Sequence, residues 1–236
     1  MAEFAYVGSE LDLFAAAVHW KRYVRRVIAP FLGAEVLEVG AGFGGTTKVL
    51  CQGGERRWVC LEPDPTLVAR LNSDIREGRL PGACRALVGT TDTLGVDESF
   101  DSILYMDVLE HMEDDRAEMT RAASLLRPGG HLVVLSPAHQ WLFSPFDQAI
   151  GHYRRYSKRT LSELHPEGLE LVQARYLDAF GMLASLGNRL LLRSPLPTAG
   201  QIALWDKVLV PLSSSFDRLL GYSVGKSVVC VWRRAS

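Results

Sequence analysis

Hydrophobic positions along this chain repeat with two different periods. Leu11, Phe14, Val18, Val24, Val27, Ile28 and Phe31 recur at helical spacing, and Pro30 with Gly33 stops that pattern. Short apolar runs then follow near Glu35–Val39, Arg57–Leu61, Arg85–Val88, Ser102–Met106 and His131–Leu135, and these read as strands. Thr46–Cys51, Thr66–Arg76 and Arg116–Leu126 read as helices between them. Such alternation predicts a parallel sheet with ligands at its carboxyl edge. Two weaker strands, Glu170–Tyr176 and Ser227–Trp232, would complete it. About 30 residues separate strands five and six and about 50 separate six and seven, against a usual median of roughly 4–6. Segments 137–168 and 177–226 are therefore expected to form a substrate pocket or lid.

Composition narrows the class. With 236 residues, 47% hydrophobic and 22% charged, the chain fits one globular domain over 1–236. The N-terminus has no secretory apolar core, and no uninterrupted apolar stretch approaches the roughly 18 residues of a membrane span, so a cytoplasmic protein is expected. A formal net charge of −1 and one short basic cluster leave little footprint for nucleic acid. Cys51, Cys60, Cys84 and Cys230 are scattered, without a C-x-x-C pair or neighbouring histidines, and read as reduced core thiols. No cluster along the sequence has metal-ligand spacing, so no metal is expected.

The chemistry concentrates in Val36-Leu37-Glu38-Val39-Gly40-Ala41-Gly42-Phe43-Gly44-Gly45, a strand, a tight turn and a helix start. Glycines there permit backbone angles that a side chain blocks and let a ligand approach bare main chain at a helix N-terminus. Gly40, Gly42 and Gly45 also satisfy the dinucleotide spacing, so the glycines alone leave the ligand open. Glu62, ending the next strand, suits the hydroxyls of a ribose in either case. Glu38, just before the turn, would crowd a pyrophosphate and suits a ligand with positive charge.

Two further blocks, Phe100-Asp101-Ser102-Ile103-Leu104-Tyr105-Met106-Asp107-Val108-Leu109-Glu110-His111 and Leu125-Leu126-Arg127-Pro128-Gly129-Gly130-His131-Leu132-Val133-Val134-Leu135, follow in order. Together with the glycine turn, over roughly Glu10 to Leu135, they resemble the class I S-adenosylmethionine-dependent methyltransferases. The resemblance implies a Rossmann-like α/β fold, a seven-stranded, mostly parallel sheet with the helical insertions after strands five and six. It implies S-adenosylmethionine as cofactor, with Gly40, Gly42 and Gly44 under the methionine half and Glu62 on the ribose. Adenine would lie on the loop after strand three, at Thr91 and Asp92. The acid there is displaced by two residues from its usual place, so either Asp92 or a main-chain amide would read the base. Gly151-His152-Tyr153-Arg154-Arg155-Tyr156 resembles a loop of a bacterial subgroup within that family.

Methyl transfer to a small molecule then needs alignment and desolvation, and a base only where the acceptor must lose a proton. His139, His152, His111 and Tyr156 are the candidate bases. Asp107 closes strand four, where it either caps the following helix or stands near the reacting groups. Trp141, Arg154 and Arg155 are candidates for the acceptor, since a guanidinium pairs with carboxylate or phosphate; an exposed helix start is the plainer reading of the basic cluster. Tyr6 is a candidate to close over the cofactor. Two other readings stay open: non-methylating chemistry of the same cofactor, a cyclisation or aminocarboxypropyl transfer releasing methylthioadenosine, and a membrane-surface protein whose apolar, mildly basic second insertion meets a lipid-linked substrate.

Overall fold

The computed structural model describes residues 14–95, 97–187 and 198–235, so Tyr6, Leu11 and the Leu190-Leu191-Leu192 run lie outside the described residues. Seven strands form one sheet: β1 (Glu35–Val39), β2 (Arg57–Glu62), β3 (Cys84–Val88), β4 (Phe100–Met106), β5 (Leu126–Pro137), β6 (Leu169–Leu177) and β7 (Ser227–Arg234). Their order is β3-β2-β1-β4-β5-β7-β6. β1 to β5 pair in parallel, and β7 runs antiparallel to both its neighbours. The central strands are buried almost throughout, as parallel strands covered on both faces must be.

Side-chain alternation sorts β1 into two cores. Val36 joins Trp58, Leu104 and Val133 beneath helix α1 (Val18–Ile28), whereas Leu37 and Val39 join Ile103, Tyr105 and Met119 on the other face. Arg127-Pro128-Gly129-Gly130, which reads as a turn, lies inside β5: partner register jumps from Leu126 to His131 opposite Phe100 and Ser102. Strand order reverses between β1 and β4, and the carboxyl ends of these two strands frame a crevice.

The two insertions lie where the long connections place them. The first contains helix α2 (Pro145–Ala149), and the second contains a helix running from Ala199 through a π-helical stretch (Trp205–Leu209) to Leu219. That second helix turns its acids inward and its cations outward. Asp206 and Asp217 are buried while Lys207 and Arg218 are exposed. Asp206 accepts hydrogen bonds from the Trp20 and His19 amides, at 2.8 and 3.2 Å, and Asp217 accepts one from the Tyr23 hydroxyl at 2.7 Å. Among the described residues no helix is long and apolar enough to cross a membrane.

Candidate active site

The glycine turn is tied to β2 by main chain. The Gly40 and Ala41 amides donate to the Leu61 carbonyl at 2.8 and 3.2 Å, and Gly42 donates to Glu62 Oε2 at 2.9 Å. Gly40 has φ +66°, and a Cβ there would lie 2.7 Å from Val108 Cγ2. Gly44, at φ +84°, would likewise drive a Cβ to 2.7 Å from Leu71. These glycines thus serve close packing.

Both acids expected at the cofactor are turned toward protein. Glu38 Oε2 accepts from Thr47 Oγ1 and Trp58 Nε1, each at 2.8 Å, and burial pushes its carboxyl up to about 7. It clamps the strand, the turn and the next helix from beneath and does not line the cavity, which corrects its expected contact with a cationic ligand. Glu62 holds the Gly42 and Asp64 amides, one on each oxygen. Thr91 Oγ1 donates to Glu118 at 3.0 Å and Asp92 pairs with Arg121, so neither side chain lines the cavity.

A cavity of about 910 Å³ opens at the carboxyl ends of β1 and β4. Gly40, Ala41 and Phe43 form one side; Met106, Asp107, Glu110 and His111 form the floor. Phe143, Phe146, Ile150 and His152 come from the first insertion, and Ile202, Leu204 and Leu209 cover it from the second. Lys21 reaches in from α1, its ammonium donating to the Phe14 and Ala15 carbonyls, and burial lowers it to about 8. Asp107 meets the cavity space in the left-handed conformation, φ +57°. Desolvation by the surrounding protein pushes its carboxyl up to about 6, against the pull of His152, Lys226 and Lys21.

Three groups converge on that floor. Glu110 is fully buried; Oε2 accepts from Ser136 Oγ at 2.9 Å, while Oε1 has no hydrogen-bond partner among the described residues and stands 3.9 Å from His152 Nε2. Burial, and Asp107 after it, push the Glu110 carboxyl well above the usual range. His111 packs edge-on against His152, ring centres 4.5 Å apart, and burial lowers it to about 4. Behind them, Asp147 Oδ1 lies 3.0 Å from His152 Nδ1. Asp147 also takes a forked pair from Arg155, Nε at 2.8 Å and Nη2 at 2.9 Å. Burial alone would raise its carboxyl; the bonds from His152, Arg155 and Ser144 hold it well below the usual range instead. The result is a cavity-lining histidine with Nδ1 fixed by Asp147 and Nε2 toward Glu110 Oε1.

The remaining sequence candidates fall outside this group. Tyr156 is buried, its hydroxyl donating to Asp115 at 2.7 Å, and burial with that bond raises it far above the ordinary phenol range, so it is corrected from base to structural anchor. Arg154 also pairs with Asp115, at 2.6 Å, and does not line the cavity. Arg155 lines it but gives its fork to Asp147, which removes the expected clamp for an anionic acceptor. His139, at φ +67°, donates Nε2 to the Gly225 carbonyl at 3.0 Å; Trp141 lies over its ring, half exposed, and neither lines the cavity. Glu110 and Asp147 were missed because nothing local marks them. Glu110 adjoins His111 in a helix-start string, and Asp147 reads as the N3 acid of a Ser144 capping box, which it also is.

A family model described as a methyltransferase domain matches residues 37–134. A demethylmenaquinone methyltransferase of Tropheryma whipplei is 30% identical over 169 residues, 68% of this chain and 64% of that protein. A ubiquinone biosynthesis O-methyltransferase of Xanthomonas axonopodis pv. citri is 33% identical over 145 residues, 52% of this chain and 59% of that protein. The chain thus spans just under two thirds of the length of these curated relatives. Among solved structures, the N-methyltransferase NodS of Bradyrhizobium japonicum in complex with S-adenosylhomocysteine superposes with TM-score 0.57 at 17% identity, over 92% of this chain and 86% of that one. The fold is the Rossmann-like fold of class I methyltransferases.

Proposed function

We propose that this protein transfers a methyl group from S-adenosylmethionine to a hydroxyl on an apolar small molecule. The observation that carries the reading is one cavity joining the glycine turn to the Glu110–His111–His152 floor. The matched domain and the ligand named for the NodS structure support the cofactor; the names of the curated relatives support a small-molecule acceptor. Phe143, Phe146, Ile150, Ile202 and Leu204 favour an acceptor with an apolar body.

Gly40, Gly42 and Gly44 would hold the cofactor's methionine half and Asp107 would stand near its sulfonium, which would supply an electrophilic methyl group. In-line displacement forms the oxygen–carbon bond as the carbon–sulfur bond breaks, and the electron pair stays on sulfur as a neutral thioether. An acceptor hydroxyl must shed its proton for this, and the Glu110–His111–His152 floor receives it. His152 is the base best oriented for it, because Asp147 fixes Nδ1 and leaves Nε2 toward the acceptor. The aromatic and aliphatic cover excludes water from the transfer.

Mass spectrometry of the cofactor after incubation with protein and a hydroxylated aromatic acceptor tests the reading. S-adenosylhomocysteine formed only with acceptor present is the expected product. Methylthioadenosine would shift the assignment to cyclisation or aminocarboxypropyl chemistry, and calorimetry with no heat from S-adenosylhomocysteine would end it.

A further inference from the structure

We propose that Glu110, His111 and His152 hold a divalent cation of the manganese, iron or zinc class at the floor of the cavity. One ligand atom from each of the three lies within 4.8 Å of the others. Cation–ligand bonds of about 2.1 Å put ligand atoms roughly 3.0–3.4 Å apart, so the widest of these separations must close by up to about 1.5–2 Å, within reach of side-chain rotation. Two imidazoles and one carboxylate on one side of an open space are a donor set for such metals, with the remaining positions left to solvent or substrate.

Two independent observations point to a ligand here. Glu110 Oε1 is fully buried and has no hydrogen-bond partner among the described residues, although its sister oxygen is satisfied by Ser136. A carboxylate oxygen in that state is costly unless something fills the space it faces. Also, His152 is held through Nδ1 by Asp147, and Asp147 by Arg155 and Ser144. A ring nitrogen bonded to a carboxylate is how a metal-bound histidine is usually oriented, leaving the other nitrogen's lone pair for the metal.

Charge around the floor agrees. Asp107, Glu110 and Asp147 face Lys21, Arg155 and Lys226 across the cavity, but Arg155 is spent on Asp147 and Lys226 leans to Asp178 at 3.7 Å. Lys21 remains near Asp107, and Glu110, whose proton an incoming cation would displace, is the carboxyl left to meet it. The sequence hides the site because His152 arrives from the first insertion, far along the chain from Glu110 and His111.

Placing the cation in the acceptor half rests on the methyl-transfer reading; the binding site itself does not. An acceptor hydroxyl bound to the cation would lose its proton to water at the cavity mouth, and the oxyanion would attack the methyl carbon while the pair from the broken bond stays on sulfur. His152 Nε2 would then be a ligand, and the cation would promote the proton's loss to water by acidifying the bound hydroxyl, so that no side-chain base is needed.

Calorimetric titration of the chelator-stripped full chain with Mn²⁺ and with Zn²⁺ tests this. Saturable uptake near one ion per chain is expected, weakened tenfold or more in Glu110→Gln and in His111→Asn, and about 10–100-fold in Asp147→Asn. Near-ultraviolet circular dichroism verifies that each variant is folded. Independently of any variant, Mn²⁺ should broaden the ring proton signals of His111 and His152 in the native chain ahead of those of His139 and His165. No saturable uptake, broadening centred elsewhere, or unchanged affinity in both folded Glu110→Gln and His111→Asn overturns the proposal. S-adenosylhomocysteine titrated into the same sample separates the two readings. Heat from it without metal uptake refutes the cation alone, and metal uptake without that heat sustains the cation and removes the methyltransferase.

Discussion

Glu38 is a charge whose cost the fold can report. Its carboxyl is raised from 4.5 to about 7 by burial. Between those values the folded chain keeps a proton that the unfolded chain has released, so stability falls as pH rises from about 4.5 to about 7 and is level above it. The full drop is on the order of 3 kcal/mol. Glu38→Gln keeps an oxygen for Thr47 and Trp58 and has nothing to ionise. Melting curves should therefore show a native chain that loses stability from pH 5 to 8 relative to the variant, and a flat difference would place Glu38 outside this account. Gly40 offers a steric counterpart. Gly40→Ala sets a Cβ against Val108 at positive φ and should cost about 1–3 kcal/mol in denaturant titration, through overpacking and backbone strain.

At the scale of elements, α1 depends on a partner distant in sequence. Ala17 precedes it and offers no capping side chain, so the His19 and Trp20 amides are satisfied by Asp206 from the second insertion. Asp206→Ala should cost about 1–2 kcal/mol, as loss of a helix cap does. Faster hydrogen exchange at the start of α1 and along 199–209 together would identify the loss as this joint; faster exchange in one segment alone would not. The first insertion is built differently. Asp147 joins a capping box, His152 and Arg155, and so sets the loop that carries the expected base. Arg155→Lys cannot reproduce the fork, and kcat/KM should fall while S-adenosylhomocysteine affinity holds. If cofactor affinity falls in step with it, Arg155 faces the cofactor instead.

For the molecule as a whole, the crevice is the place where ligand binding and stability meet. S-adenosylhomocysteine at 100 times its Kd should add about 2.7 kcal/mol to unfolding, whereas NAD at the same concentration should add nothing. A thermal shift with NAD and none with S-adenosylhomocysteine would contradict the cofactor reading. With the former ligand bound, amide exchange near 141–156 and 198–220 should slow, because both segments cover the cavity; exchange equally slow without ligand would mean a fixed cover.

The sheet was legible in the sequence because its signals are local: apolar runs at strand length, glycines at a turn that admits little else, helical periods between them. Hence β1 to β4 fell close to where the runs predict, and β5 began five residues earlier than expected, at Leu126. Side-chain roles were a different matter. Whether Glu38 meets a ligand or a tryptophan depends on which way a strand residue faces in the assembled sheet, and that placed Trp58 beside it. Tyr156 and Arg154 look reactive in a loop but are spent on Asp115, which comes from another helix. Glu110, His111, Asp147 and His152 have no common spacing, and only the packing of the first insertion against the end of β4 brings ligand atoms of Glu110, His111 and His152 within 4.8 Å of one another, with Asp147 bonded to His152. Local periodicity determines elements through backbone sterics and burial; the meeting of polar groups from separate elements is decided only when those elements pack.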